Sequence, residues 1–159
     1  MRFFIFLTLM ALAIPSYSAD FKSLQLNDLE TGKVFRFSEI KAKLIIVDFW
    51  ASWCGPCQES LPFFESLHQK YKDKGLVVVG IAMDDDLKNS KDFLKNQKIN
   101  FKMVYGGGGG IQSDFGIDAI PRTMILDSEL KIVKVIKGFG VGKKEIFDTI
   151  IKEKVIQKK

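Results

Sequence analysis

LIIVDFWASWCGPC, from Leu44 to Cys57, is the stretch that decides the fold, and it contains both cysteines of the chain. The apolar run that opens it predicts a buried strand, and the pattern of residues 58–72 predicts an amphipathic helix. The segment between them is therefore a tight turn followed by the first turn of a helix. Gly55-Pro56 keeps that turn short, and proline fits because the first helical turn needs no N–H donor there.

This placement predicts different roles for the two cysteines. Cys54 is expected at the helix N-terminus, where free backbone N–H groups and the macrodipole favour an anion. The thiolate is the reactive form of cysteine, so Cys54 is the candidate nucleophile. Cys57 follows about one helical turn later and is expected to be more shielded. Cys54 would attack a partner disulfide, and Cys57 would resolve the mixed disulfide that forms.

Two other uses of a Cys-x-x-Cys pair remain open from the residues alone. One is a structural disulfide, although so short a loop restricts the unfolded chain little. The other is a metal site, which needs more ligands than two cysteines. The single histidine, His68, lies on the predicted outgoing helix with no ligand partner nearby, so no metal site is predicted.

The motif Trp50-Ala51-x-Trp53-Cys54-Gly55-Pro56-Cys57 after an apolar strand resembles the active site of thioredoxin. The resemblance extends over nearly all of the chain after residue 20, and the layout is most similar to exported TlpA/ResA-like thiol:disulfide oxidoreductases. It implies a thioredoxin-like α/β fold. That fold is a three-layer sandwich, a mixed sheet with helices on both faces, with an N-terminal β-hairpin and an inserted helix.

Periodicity and turn residues place the remaining elements. In chain order they are a hairpin within 21–40, strands at 44–50 and 76–83, a helix at 89–97 capped by the acidic loop 84–86, a strand at 101–105, a short helix at 111–115, strands at 123–126 and 130–137, and an amphipathic helix at 143–156. The glycine run 106–110 lacks the Lys-Ser/Thr ending of a phosphate loop and is expected to be a flexible connection.

Asp48 is unusual within an apolar strand, and two interpretations of it are open. It points either to water or into the core beneath the Cys-x-x-Cys. A buried carboxyl has a raised pKa and could accept the proton of Cys57 during resolution. Thioredoxin has an aspartate at the corresponding position, which supports the second interpretation. The chain departs from thioredoxin at residues 79–82, where the next strand carries no lysine near that aspartate.

The resemblance also implies a surface that binds the substrate. It consists of Trp53, Gly55, Pro56, Ile120, Pro121 and Gly138. The Ile120-Pro121 bond is expected to be cis and to face Cys54, with the Ile120 backbone pairing with an extended partner segment. Arg122 departs from the small polar residue common in the family. It either favours the Cys54 thiolate or is a surface charge.

Length and charge set further limits. The chain of 159 residues is expected to form one domain, residues 20–159, and to be monomeric. Its net charge is +5, but its lysines are spread along the chain and no nucleic-acid motif is present, so no nucleic-acid partner is expected.

Residues 1–19 have the pattern of a cleavable signal peptide, with Arg2 before an apolar run. The alternative is an uncleaved N-terminal membrane anchor.

Together these features predict a protein-disulfide reductase in the periplasm or another exported compartment, with the Cys54–Cys57 dithiol as its redox centre and no further cofactor. The resemblance implies protein disulfides as substrates, in cytochrome c maturation or copper-site assembly, and a membrane thiol:disulfide reductase as electron donor. A disulfide oxidase or isomerase remains an alternative, because direction depends on the reduction potential. A Cu(I) metallochaperone is another, since two thiolates suit that soft ion.

Overall fold

A computed structural model gives the structure of the chain and describes residues 20–107 and 110–156. The predicted signal peptide lies outside the described residues. The strands are β1 (Gln25–Asp28), β2 (Val34–Arg36), β3 (Leu44–Trp50), β4 (Leu76–Ala82), β5 (Lys102–Tyr105), β6 (Arg122–Asp127) and β7 (Ile132–Lys137). The helices are α1 (Gly55–Tyr71), α2 (Leu87–Leu94), α3 (Ile111–Asp114) and α4 (Lys143–Ile151), which continues as a π-helical segment, Lys152–Ile156.

The strands form one mixed sheet in the order β2-β1-β5-β4-β3-β6-β7. β3, β4 and β5 run parallel, as expected for strands joined through helices, and the remaining pairs are antiparallel. The predicted N-terminal hairpin is β1–β2, and β1 pairs with β5, so the hairpin extends one edge of the sheet.

Both faces of the sheet are covered, which is why every residue of β3 is buried and its sequence is almost continuously apolar. One face packs against α1, α2 and α4 through side chains such as Leu61, Phe64 and Phe147. The other packs against α3 and the N-terminal segment, through Phe21 and Phe115 among others. This arrangement is the predicted three-layer α/β sandwich.

The inserted helix is present, but its predicted bounds are wrong. α2 begins at Leu87 rather than at residue 89, because the Asp86 side chain accepts a hydrogen bond from Lys88 N and caps the helix earlier. It ends at Leu94 rather than at residue 97. Within residues 20–107 and 110–156, no helix has both the length and the apolar character needed to cross a membrane.

The topology brings three segments together at one end of the sheet. β3 ends at Trp50, and the turn that follows leads to the start of α1 at Gly55. β6 runs antiparallel to β3, with Arg122 in register with Phe49, so the residue before β6, Pro121, lies beside the end of β3. Gly138 follows β7 and donates its N–H to the carbonyl of Pro121 at 2.8 Å.

Candidate redox-active site

The two cysteines form a disulfide at the start of α1. Their sulfur atoms are 2.04 Å apart and their Cα atoms 5.2 Å apart. Cys54 retains 5% of its surface exposed, whereas Cys57 retains none. A partner would therefore reach Cys54 first, which is the order of exposure predicted from the motif.

Cys54 occupies the N-cap position of α1, as the sequence predicts. Its Sγ accepts a hydrogen bond from Cys57 N at 3.3 Å, and its carbonyl oxygen accepts from Cys57 N at 3.0 Å and from Gln58 N at 3.1 Å. In the reduced protein a Cys54 thiolate would face the Cys57 N–H and the positive end of the helix. Both effects favour the ionised sulfur.

Asp48 is fully buried on β3, so the interpretation that it points to water is wrong. Burial raises the pKa of its carboxyl to about 7. Thr123 Oγ1 donates a hydrogen bond to Asp48 Oδ1 at 2.8 Å, and Ser60 Oγ lies 3.2 Å from Oδ2. These contacts favour the carboxylate and limit the rise in pKa.

The space beside the strand where thioredoxin carries its lysine is occupied here by other side chains. Gly80 lies in register with Asp48, and a Cβ atom at Gly80 would lie 2.4 Å from Met103 Sδ and 3.1 Å from Trp50 Nε1. The hydroxyl groups of Ser60 and Thr123 provide the hydrogen-bond donors near the carboxyl instead. Sequence reasoning missed both residues, although Ser60 lies on the same helix face as Cys57 and one turn further on.

The predicted substrate-binding residues lie at the same end of the sheet as the cysteines. The Trp53 side chain is 71% exposed, and Gly55 and Pro56 are exposed as well. The Ile120-Pro121 peptide bond is cis, and Ile120 is half-buried. Gly138 has φ of +72°, a left-handed conformation that favours glycine.

A groove of about 370 Å³ opens between Trp53 and Ile120. Its other lining residues are Met83, Gln112, Ile117, Asp118 and Ala119. Its walls are mostly apolar and polar groups are few, as in many binding sites. A partner segment that pairs with the Ile120 backbone could place a side chain in this groove.

Arg122 is 5% exposed, so the interpretation of it as a surface charge is wrong. It lies in register with Phe49 and therefore on the face of the sheet opposite to Asp48. Its Nη2 contacts the carboxylate of Asp118, which is also 3.0 Å from Lys137 Nζ. Asp118, in the segment before Pro121, therefore forms ion pairs with one residue of β6 and one of β7.

Comparison with known proteins agrees with this geometry. The model of the redoxin family matches residues 14–151. The chain belongs to the redoxin family. It is 32% identical over 111 residues to the thiol-disulfide oxidoreductase ResA of Bacillus thuringiensis, which covers 70% of this chain and 64% of the relative. This redoxin thus spans less than two thirds of the length of that relative.

Solved structures with the same fold include two from bacteria. A thiol:disulfide interchange protein of the thioredoxin family from Chlorobium tepidum has a TM-score of 0.70 at 28% identity, covering 83% of this chain and 92% of its own. StoA from Bacillus subtilis has a TM-score of 0.63 at 25% identity, covering 77% of this chain and 93% of its own. Both support the thioredoxin-like fold of this redoxin.

Proposed function

We propose that this redoxin is an exported thiol–disulfide oxidoreductase that reduces disulfide bonds in other proteins. The observation that carries the proposal is the accessible Cys54 at the N-terminus of α1, in a disulfide with a fully buried Cys57. The name of its ResA relative supports the chemistry. Electrons are held by the cysteine pair itself, so the reaction needs no separate cofactor.

The reaction starts from the reduced pair and a partner disulfide. The Cys54 thiolate attacks one partner sulfur, so a Cys54–partner bond forms and the partner's own S–S bond breaks, releasing the first partner thiolate. Cys57 then loses its proton and attacks Cys54 Sγ. The mixed disulfide breaks, the second partner thiolate leaves, and the Cys54–Cys57 bond forms. Two electrons pass from this pair to the partner.

Asp48 is the proposed acceptor of the Cys57 proton. Ser60 lies one turn after Cys57, and its Oγ contacts both the Cys57 carbonyl oxygen at 3.0 Å and Asp48 Oδ2 at 3.2 Å. The carboxyl therefore lies directly beneath the first turn of α1. Its pKa of about 7 suits a group that must take up and release a proton near neutral pH.

The resemblance of the motif to reducing thioredoxins supports the proposed direction and the proposed partners. Trp-Cys-Gly-Pro-Cys resembles reducing thioredoxins, and a reductant in an oxidising compartment must be recharged by another protein. A membrane thiol:disulfide reductase is the proposed donor. The proposed substrates are disulfides of apocytochrome c or of proteins that assemble a copper site. The monomer would bind them along the surface from Trp53 to Gly138.

The direction is tested by the reduction potential of the Cys54–Cys57 pair, measured by equilibration with dithiothreitol or glutathione buffers. A value near that of thioredoxin, about −270 mV, or below supports a reductant. A value near that of DsbA, about −120 mV, would contradict the proposal and identify a disulfide-forming oxidant.

The substrates are tested by trapping. C57S cannot resolve a mixed disulfide, so partners should accumulate on Cys54 when the variant is expressed in an exported form. Mass spectrometry of the trapped species identifies them, and the double variant C54S/C57S is the matched control. Failure of C57S to retain any protein beyond that control would contradict a protein-disulfide substrate.

A further inference from the structure

Asp84 is a buried carboxylate that the proposed mechanism does not use. It follows β4, and only 1% of its surface is exposed. Its two oxygen atoms accept hydrogen bonds from Ser52 N at 3.1–3.2 Å, from Ser52 Oγ at 2.6 Å and from Ser90 Oγ at 2.6 Å. Every partner is a donor, which is the arrangement an ionised carboxylate requires.

These bonds connect the cysteine motif with the inserted helix. Ser52 precedes Cys54 by two residues, and its carbonyl oxygen accepts a further bond from Gln58 Nε2 of α1 at 3.0 Å. Ser90 is fully buried on α2. The turn that presents Trp53 and Cys54 is therefore fixed to α2 through one carboxylate.

The charge of that carboxylate has no ion-pair partner among residues 20–107 and 110–156. The neighbouring Asp85 and Asp86 are exposed, and on α2 Lys88 pairs with Asp92 while Lys91 is exposed. From β5, Tyr105 Oη donates to the carbonyl oxygen of Asp85 at 2.8 Å. The groups around Asp84 thus add negative rather than positive charge.

From these contacts we propose that Asp84 is a positioning residue that makes the Cys54–Cys57 pair more reducing. It fixes the turn before Cys54, and its buried negative charge disfavours the Cys54 thiolate. A less stable thiolate makes the reduced form less stable relative to the disulfide, so electrons are given up more readily. The inference rests on the thiol–disulfide exchange proposed above and adds a residue that sets its driving force.

The expected size of the effect on Cys54 ionisation follows from the distance between the Asp84 carboxylate and Cys54. Two residues span at most about 7 Å, the hydrogen bond adds about 3 Å and the Cys54 side chain about 3 Å more, so the carboxylate lies within about 13 Å of Cys54 Sγ. Between effective dielectric constants of 20 and 80, removing one charge at about 13 Å changes an ionisation equilibrium about two- to ninefold. The acid dissociation constant of Cys54 should rise by that factor in D84N.

The test compares D84N with S90A, which removes one hydrogen bond to the carboxylate but keeps its charge. Each protein is equilibrated with glutathione at pH 7, and the Cys54 pKa is measured from thiolate absorbance in the reduced form. D84N is expected to lower the Cys54 pKa and to shift the equilibrium about two- to fivefold toward the reduced pair. S90A is expected to lose stability while its equilibrium stays within about twofold of the wild type.

D84S is a second variant without the charge, and it gives the same expected shift if D84N does not fold. Folded D84N or D84S with a wild-type equilibrium and a wild-type Cys54 pKa would overturn the proposal and leave Asp84 a purely structural residue. An equal shift in S90A would also overturn it, because the hydrogen bonds and not the charge would then be responsible. The wild-type potential tests the proposed direction of the reaction, whereas the difference between variants tests Asp84.

Discussion

At the scale of single residues, the site depends on a carboxyl group that water does not reach. Asp48 is enclosed by the apolar side chains of one core layer, and two hydroxyl groups are its hydrogen-bond partners. A buried carboxyl with hydrogen-bond donors can exist in either protonation state near neutral pH. That property, rather than proximity alone, makes it suitable as a proton acceptor.

D48N should slow resolution of the mixed disulfide by about tenfold or more, because Cys57 loses its proton acceptor. The wild-type rate should rise as the pH passes through about 7, where the Asp48 carboxyl ionises, and D48N should lack that rise. Stopped-flow mixing of a preformed Cys54 mixed disulfide measures the step. A D48N profile with the wild-type inflection would exclude Asp48 as the acceptor.

Removing either hydroxyl should move that inflection to higher pH. Ser60 and Thr123 stabilise the carboxylate, and a hydrogen bond to a charged group contributes about 1.5–3 kcal/mol, equivalent to about one to two pH units. S60A and T123V should therefore both raise the pKa of Asp48. T123S keeps a hydroxyl and is the matched control, and its pH profile should stay close to that of the wild type. An unchanged profile in T123V would show that Thr123 does not act on Asp48.

The residues that local sequence reasoning predicts are those in the motif itself, whereas Ile120, Pro121 and Gly138 were expected only from the resemblance to thioredoxin. Cys54 and Cys57 are adjacent to a strand and a helix that the apolar pattern reveals, so local reasoning suffices for them. Thr123 and Asp84 could not be found in this way, because their partners Asp48 and Ser52 are distant in the chain and meet only in the folded sheet. A lone threonine or aspartate after a strand carries no local signal of such a contact.

At the scale of elements, the first two glycines after β5 are more constrained than the composition of this connection suggests. The run of glycines predicts a flexible loop, but the structure shows that its first residues fit narrow spaces. A Cβ atom at Gly106 would lie 2.6 Å from Ile81 Cγ2, and one at Gly107 would lie 1.9 Å from the Asp84 carbonyl oxygen. These glycines permit close approach of backbone to the acidic loop that follows β4.

G107A should destabilise the protein by about 1–3 kcal/mol, because the added methyl group must displace backbone at Asp84. G110A is the matched control in the same run. A Cβ atom there has no neighbour closer than 3.7 Å, and Gly110 has φ of −70°, which suits alanine. Its free energy of unfolding should stay within about 0.5 kcal/mol of the wild type in urea. Equal effects of the two substitutions would contradict the close approach.

Element types were easier to predict than element ends. The period of the apolar residues identifies α1 and α4, and continuous apolar runs identify β3 and β4. The predicted start of α2 is two residues late, because Asp86 caps the helix directly before Leu87. Only the structure shows that Asp86 caps the helix while Asp84 turns inward to Ser52.

At the scale of the whole molecule, the site lies at one end of the sheet, at the edge of the apolar cores that cover its two faces. β3 is central, with β4 parallel on one side and β6 antiparallel on the other. The cysteine turn follows β3 and the Pro121 segment precedes the antiparallel β6, so both lie at the same end of the sheet. Burial of this strand places the Asp48 carboxyl in the core, so ionisation of Asp48 reduces the free energy of unfolding of the whole protein.

D48N should consequently stabilise the protein at alkaline pH. The unfolded chain loses the Asp48 proton near pH 4, whereas the folded protein retains it until about pH 7, so wild-type stability falls as the pH rises between these values. Asparagine does not titrate, so the difference in unfolding free energy between D48N and wild type should grow by about 3 kcal/mol between pH 4.5 and pH 8. Urea unfolding of both proteins in the disulfide form gives this difference without cysteine titration. A difference that is the same at both pH values would show that the Asp48 carboxyl titrates alike in the folded and unfolded chain, and would remove the physical basis for its role as a proton acceptor at neutral pH.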